Sequence, residues 1–193
     1  MKNLFILLLL VAQVHPGFSQ SGTGNYKVVP VVSSQDFYLN GGARSAFGGK
    51  SRTFIMVTLP ANTVEWYYAV TTTPKQGQGP QLGLAGQLAK LLLPGSGLAS
   101  SVLTSIIMPT GSGVCDVYLF SDQGNLNKFI QKQDPAMSVT SGMRENFRHG
   151  VVQIKDAVQG TYYLGMKNPS GMQGINITVE VTALVKESNE ASQ

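Results

Sequence analysis

The stretch Ile175-Asn-Ile-Thr-Val-Glu-Val-Thr-Ala-Leu-Val185 decides the fold class of this chain. Every odd-numbered residue in it is apolar, whereas asparagine, threonine and glutamate alternate with them at positions 176 to 182. Successive side chains of a β-strand point to opposite faces, so this period of two predicts a long strand. We expect it to have one buried face and one polar face, as in antiparallel sheets that pack on a single core.

Further segments rich in β-branched and aromatic residues lie upstream of this strand. They are residues 27–32, 36–39, 53–59, 63–73, 114–120, 149–156 and 161–168. Pro30 cannot donate a hydrogen bond to a neighbouring strand, so the first segment is expected at a sheet edge. Only 12% of the residues are charged and 22 are glycines, which suits a compact protein with tight turns. About eight strands separated by turn signals predict an all-β fold, an antiparallel β-sandwich of jelly-roll or Greek-key order.

Alternation within these segments also predicts which side chains form the core. In residues 63–73 the even-numbered residues from Val64 to Val70 share one face, and we expect Trp66 to pack against the odd-numbered face of the last strand. Cys115 shares a face with two apolar neighbours, so we expect a small buried side chain rather than a reactive thiol. A single cysteine allows no internal disulfide, so packing must supply the stability.

The segment Leu82–Met108 departs from the strand pattern and has helical spacing instead. Two short runs, split by Pro94-Gly95-Ser96-Gly97, predict a helical hairpin inserted between two strands, with apolar stripes that end at Leu92 and Ile107. We expect this insert either to cap the open end of the sandwich or to dock a partner or a membrane surface. The candidate partner-binding residues are Leu84, Leu88, Leu91, Leu92, Leu98, Val102 and Ile106. A separate short helix is predicted at 124–133, with Leu126, Phe129 and Ile130 facing inward.

Residues 1–19 have the features of a secretory signal. Lys2 precedes the apolar run Leu4–Ala12, and Pro16-Gly17 breaks the helix before Ser19. The run is about ten residues long, whereas a membrane-spanning helix needs about 20. We therefore expect cleavage after Ser19 and export to the periplasm or the extracellular space, without a lipoprotein anchor because no cysteine ends the run. A loose lead at 20–25, one domain at 26–186 and a polar tail at 187–193 are expected to complete the chain.

The charge pattern argues against a nucleic-acid partner. Removal of Lys2 takes the basic residues from 14 to 13, against 10 acidic residues, so the processed chain has a net charge of only +3. Its cations form two loose groups, Arg44 with Lys50 and Arg52, and Arg144 with Arg148 and His149. Neither group alternates with aromatic residues as nucleic-acid surfaces do. We expect solvated loops at both places rather than an anion site.

The pattern of polar residues does not indicate catalysis or a cofactor. Nucleophile–base pairs, paired carboxylates and metal clusters are the usual signatures, and after the signal the sequence has one histidine and one cysteine. We expect His149 to be a solvated turn residue. Asp116, Asp122 and Asn125 approach the composition of a calcium loop without its spacing, and the glycine-rich loop has Arg44 where a phosphate loop requires glycine. The sequence therefore predicts a non-enzymatic protein without metal or cofactor.

Two blocks of the sequence resemble the GOLD domain, a β-sandwich of cargo receptors in the early secretory pathway that also occurs beside lipid-transfer domains. The shared features are Trp66 with Tyr68, the strand Val117–Leu119, and Gly160–Leu164 leading to Asn168. The resemblance spans Arg52 to Val185 apart from the insert, and it implies a non-enzymatic role in binding a protein or ligand. The receptors' disulfide and C-terminal membrane span are not predicted here. The strands also resemble the binding sandwich appended to secreted bacterial peptidases.

These features together predict an exported, non-enzymatic β-sandwich module that binds a protein or another component of a bacterial cell envelope. One alternative is an envelope protein that lies on the membrane surface through its apolar insert. A less favoured alternative is a secreted hydrolase with a site around His149.

Overall fold

The computed structural model describes residues 25–45, 47–74, 77, 79–91, 100–133 and 136–187, with the side chains of 100–102 excepted. The predicted signal at 1–19, nearly all of the lead and most of the polar tail lie outside the described residues. Within those described, no helix is long and apolar enough to cross a membrane.

The described residues form short helices and eight strands. The strands are β1 (Tyr26–Leu39), β2 (Arg52–Thr58), β3 (Thr63–Thr73), β4 (Cys115–Phe120), β5 (Arg144–Phe147), β6 (His149–Ile154), β7 (Thr161–Lys167) and β8 (Ile175–Lys186). The helices are α1 (Gly42–Ser45), α2 (Leu84–Leu91) and α3 (Gln123–Ile130), with 3₁₀ helices at Ser100–Ser105 and Thr140–Gly142. The sequence did not predict α1 or β5. The strand β5 is short, and it pairs with β4 across a register shift in a segment that reads as polar loop.

The strands form two four-stranded antiparallel sheets packed face to face. The strand order is β1-β8-β3-β6 in one sheet and β2-β7-β4-β5 in the other. The pairs β1·β8, β2·β7, β3·β6 and β4·β5 show that the chain is one long hairpin rolled up on itself, which is the jelly-roll arrangement. The prediction of an all-β antiparallel sandwich is confirmed.

The strand β1 lies at a sheet edge, as Pro30 predicts. It joins the two segments that the sequence separates into one strand paired along β8. The register of the β1–β8 pairing shifts on either side of Val32, between Pro30 and Val32 and between Val32 and Gln35. Bulges at these two places leave residues of β1 without a partner on β8. The sequence reads as two strands because a bulge interrupts the period of two.

The core between the sheets is centred on Trp66. This side chain is fully buried with the odd-numbered residues of β8, as predicted, and its Nε1 donates a hydrogen bond to the Ala157 carbonyl at 2.7 Å. The prediction for Val64 is wrong, because a register shift between Thr63 and Glu65 turns that side chain outward and leaves it 37% exposed. A bulge of one residue reverses the face of the side chain that it displaces.

The polar face of β8 is buried, which contradicts the prediction of one solvated face. Asn176, Thr178, Glu180 and Thr182 are all buried with the apolar residues that alternate with them. They are covered because the strand lies inside its sheet and because the insert packs over the outer face. The buried Thr178 hydroxyl donates a hydrogen bond to the Asp36 carboxylate on β1.

The helix α3 covers part of the outer face of the other sheet. Leu126 and Phe129 are buried against Phe120 of β4, which confirms the predicted inward face. The ring centres of Phe120 and Phe129 lie 5.2 Å apart. Gly165 of β7 makes this close packing possible, because a Cβ there would come within 2.8 Å of both rings. Each sheet therefore has a helical segment on its outer face.

Candidate functional site on the insert

The described part of the insert, residues 82–91 and 100–108, lies on the outer face of a sheet rather than at an end of the sandwich, which corrects the expectation of a lid. It lies across the outer face of the β1-β8-β3-β6 sheet, where Leu84 and Leu88 of α2 and Ile106 are buried against Tyr67 and Ala69 of β3. The apolar residues of the insert therefore form a second small core. Alternation in β3 does place Tyr67 and Ala69 on the face opposite Trp66, but it does not show what covers them.

Glu180 of β8 holds the start of α2. Its Oε1 accepts hydrogen bonds from the backbone N–H groups of Leu82 at 2.9 Å and Gly83 at 3.2 Å, and its Oε2 accepts one from Leu84 at 2.9 Å. The first N–H groups of a helix have no partner within the helix, and a carboxylate is favoured there by the helix dipole. This contact explains a buried glutamate in the middle of a strand.

Gln87 joins α2 to the segment that follows the 3₁₀ helix. Its Nε2 donates to the carbonyls of Leu82 at 2.9 Å and Ile107 at 3.0 Å, while its Oε1 accepts from the Ile107 N–H at 2.8 Å. The side-chain amide thus pairs with the Ile107 backbone as a neighbouring strand would. The backbone of residue 107 is therefore held at a fixed distance from α2.

A groove of about 530 Å³ lies between α2 and this segment. We call it the insert groove; it is bordered by Gln81, Lys90, Leu91, Ile107 and Met108. Ile107 is 81% exposed although its backbone is held by Gln87, and Leu91 and Met108 are partly buried beside it. The groove therefore presents aliphatic surface to solvent on a backbone that is hydrogen-bonded in place.

The structure divides the predicted partner-binding residues into three groups. Leu84, Leu88 and Ile106 are buried in the chain's own core, so their side chains have no free surface for a partner. Leu91 lines the insert groove. Leu92 and Leu98 lie outside the described residues, as does the side chain of Val102.

Sequence reasoning missed Ile107 as a surface residue. Helical spacing places it on the inner stripe with Ile106, but the 3₁₀ helix ends at Ser105 and the next residues do not continue it. Gln87 holds the backbone of Ile107 in this position. An isoleucine pair followed by Met108-Pro109 could have signalled a helix end, because the residue before proline disfavours helix.

A buried polar network lies beside the insert on the same outer face. The Tyr67 hydroxyl donates to Glu65, and Gln153 Nε2 donates to Glu65 at 2.8 Å and to the Tyr67 oxygen at 3.0 Å. Lys155 Nζ lies 3.7 Å from the Glu65 carboxylate. Burial raises the pKa of Tyr67 far above its ordinary value, and the neighbouring carboxylate raises it further. The polar groups of Glu65, Tyr67 and Gln153 are therefore hydrogen-bonded to one another.

His149 and Cys115 have structural partners. His149 is exposed at the start of β6, where its Nδ1 accepts the Gly111 N–H at 3.1 Å. Cys115 is buried, as predicted, with Sγ 3.4 Å from the Phe147 carbonyl. Burial raises the pKa of this thiol to about 12, which disfavours the nucleophilic thiolate.

The three residues of calcium-loop composition form two separate sets of contacts, one around Asp116 and one between Asp122 and Asn125. Asp116 lies 3.4 Å from Lys167 Nζ and accepts the Asn146 N–H at 2.9 Å. Asp122 caps α3 by accepting the Asn125 N–H at 2.8 Å. A hydrogen bond from the Asn125 side chain, together with this backbone bond, lowers the pKa of the Asp122 carboxyl. In the described part of the chain, no three His, Cys, Asp or Glu side chains are grouped as metal ligands would be.

Comparison of this chain with protein-family models and with curated proteins finds no match.

Proposed function

We propose that this chain is an exported, non-enzymatic binding module that holds an apolar segment of a protein partner in the insert groove. The signal features of residues 1–19 support export to the cell envelope or beyond. The resemblance of residues 52 to 185 to GOLD domains supports a binding role rather than catalysis. The jelly roll would then serve as the scaffold on which the groove is displayed.

The observation that carries this proposal is the exposure of Ile107 on a backbone that is fixed. Single exposed apolar residues are common and do not by themselves indicate a binding surface. Here both Nε2 and Oε1 of the Gln87 side chain form hydrogen bonds with the backbone of Ile107. Glu180 in turn accepts a hydrogen bond from the first turn of the helix that carries Gln87. Such support reduces the ordering cost of binding, because the groove has its shape before the partner arrives.

Site-directed crosslinking in the source cell tests the proposal. A photoreactive residue at Gln81, on the border of the insert groove, should yield one discrete protein adduct. Ile107→Ser should abolish that adduct, because it removes the aliphatic surface without touching the Gln87 contacts to the backbone. Met137→Ser is the matched control, since Met137 is 75% exposed elsewhere on the surface. An adduct that survives Ile107→Ser, or no adduct from Gln81, would reject the insert groove as the binding site.

A further inference from the structure

A second groove, of about 260 Å³, lies on the opposite sheet where β2 begins. It runs between residues 49–54 and the end of α3, and three of its lining residues are the cations Lys50, Arg52 and Lys132. We call it the basic groove. Lys132 is about 80 residues from the other two in sequence, so spacing along the chain does not group it with them. The structure brings the three together.

Arg52 is held in position within the basic groove. Its Nη1 donates to the Phe129 carbonyl at the end of α3, and its guanidinium carbon lies 5.0 Å from the centre of the Phe129 ring. These contacts use one terminal nitrogen and one face of the guanidinium group. Nε and Nη2 are not used by them and can donate to an oxyanion, the geometry for which arginine is well suited.

Lys132 occupies a backbone position that normally belongs to glycine. The Gln133 N–H donates to the Lys128 carbonyl at 2.8 Å and the Lys132 N–H to the Phe129 carbonyl at 3.2 Å, which is the Schellman arrangement at a helix end. Lys132 is the left-handed residue of this arrangement, with φ of 60°. A lysine here costs stability relative to glycine. Backbone strain of this kind is tolerated where a side chain serves a function.

The charge of the basic groove has no acidic partner among the described residues. The described residues form the ion pairs Lys155–Glu65 and Lys167–Asp116, and none of these four residues lines the basic groove. Lys132 Nζ donates a hydrogen bond to the Ser45 hydroxyl at 3.4 Å and forms no ion pair with a described carboxylate. Three positive charges around one groove repel each other, and a bound anion would relieve that repulsion.

One exposed apolar side chain lines the basic groove and two more lie in segments connected to it, and together they indicate what carries the anion. Phe54 lines the groove and is 42% exposed, and Phe47, in the adjoining loop, is 95% exposed. The helix α1, which precedes this loop, is joined to residues 170–172 because the Gly42 N–H donates to the Ser170 carbonyl at 2.8 Å, and Met172 in that segment is 76% exposed. Free phosphate would gain nothing from these side chains. A lipid surface offers anionic headgroups beside an apolar layer.

We propose that the basic groove binds the phosphate of an anionic phospholipid headgroup while Phe47 and Met172 enter the interface beside it. Each basic residue near such a surface contributes to attraction, and the buried apolar side chains add a contribution that salt does not screen. This surface is separate from the insert groove, on the other sheet, so a membrane and a protein partner could be bound together.

Vesicle flotation of the protein as recovered from the cell tests this proposal. It should float with phosphatidylcholine vesicles that contain phosphatidylglycerol and stay unbound with pure phosphatidylcholine. Lys132→Gly should weaken binding about fivefold, the effect of about one basic residue at an anionic surface. The same variant should unfold at equal or higher denaturant concentration, because glycine suits the left-handed position. Phe47→Ser should reduce binding without changing stability, and Met137→Ser is the control.

Several results would overturn the proposal. Equal flotation of Lys132→Gly and the unchanged protein would remove the basic groove from the contact. An equal loss of binding in Met137→Ser would show a non-specific apolar effect. Binding of glycerol phosphate in solution, measured by calorimetry, without any vesicle binding would identify a free anion as the ligand and exclude the membrane. A loss of stability in Lys132→Gly with binding intact would leave Lys132 a purely structural role.

Discussion

At the scale of single residues, Glu180 shows why an alternating pattern does not reveal a residue's surroundings. Its place in β8 predicts a side chain in water, yet its carboxylate is buried and accepts three backbone N–H groups of another element. A buried carboxylate is tolerated only when hydrogen bonds compensate for the loss of water. The pattern therefore specifies the face correctly but not what lies on that face.

Cys115 leads to a prediction about pH at the same scale. Burial raises its pKa to about 12 in the folded state, whereas an unfolded thiol titrates near about 8.5. Stability from this group is therefore fully present below about pH 8.5 and is lost as pH rises toward about 12, because only the unfolded state releases the proton. Urea unfolding at stepped pH should show a shallower alkaline loss for Cys115→Ala than for the unchanged protein.

Tyr67 serves as the internal reference in that experiment. Burial and the neighbouring Glu65 raise its pKa without any contribution from Cys115, so its share of the alkaline loss is the same in both proteins. Parallel stability curves for the two proteins would contradict the assigned role of Cys115. Rapid labelling of the native thiol at neutral pH would contradict its burial directly.

At the scale of elements, α2 belongs to the core on one side and to the surface on the other. Leu88 is almost fully buried against the sheet, whereas Leu91, one turn further on, is only partly buried at the insert groove. Leu88→Ala should cost about 2–5 kcal/mol of unfolding free energy, as for buried leucines. Leu91→Ala should cost less than about 1 kcal/mol, nearer to surface substitutions.

Chemical denaturation of the two variants side by side decides between the roles of this helix. Both substitutions remove the same atoms from the same helix, so helix propensity cancels and the difference reports packing. Equal costs would mean that the insert is core throughout and that the groove is not an independent surface. Near-zero costs for both would mean that α2 does not pack on the sheet.

At the scale of the whole molecule, Trp66 links the two sheets. It lies on β3 of one sheet, and its ring centre is 6.2 Å from that of Tyr162 on β7 of the other. Trp66→Ala should cost about 3–5 kcal/mol, the range for large buried aromatics. Met56→Ala, on the exposed face of β2, should leave the unfolding free energy within about 0.5 kcal/mol.

Thermal unfolding followed by circular dichroism measures both variants. If Trp66→Ala proves too unstable to purify, Trp66→Phe keeps part of the ring packing and should fall between the two. A Trp66→Ala protein as stable as Met56→Ala would show that the sheets are not joined through this side chain.

The sequence predicted most of the strands, all except β5, because their signal is local. The period of two in residues 175–185, the proline in β1 and the apolar stripe of α3 each report on side chains a few residues apart. Those patterns correctly indicated a sandwich, an edge strand, the core position of Trp66 and the burial of Cys115. Where a bulge interrupts the period, as at Val64, the local pattern assigned the wrong face.

Only the tertiary structure decided what lies against each face and which distant residues meet. Folding of the jelly roll brings together three pairs of residues: Glu180 and Leu84, Gln87 and Ile107, and Arg52 and Phe129. The spacing of these residues along the chain does not predict the contacts. The physical reason is that periodicity records which side chains share a face, whereas partners across elements depend on how the faces are stacked. Most strand positions could therefore be predicted, while both grooves could be recognised only after the chain was folded.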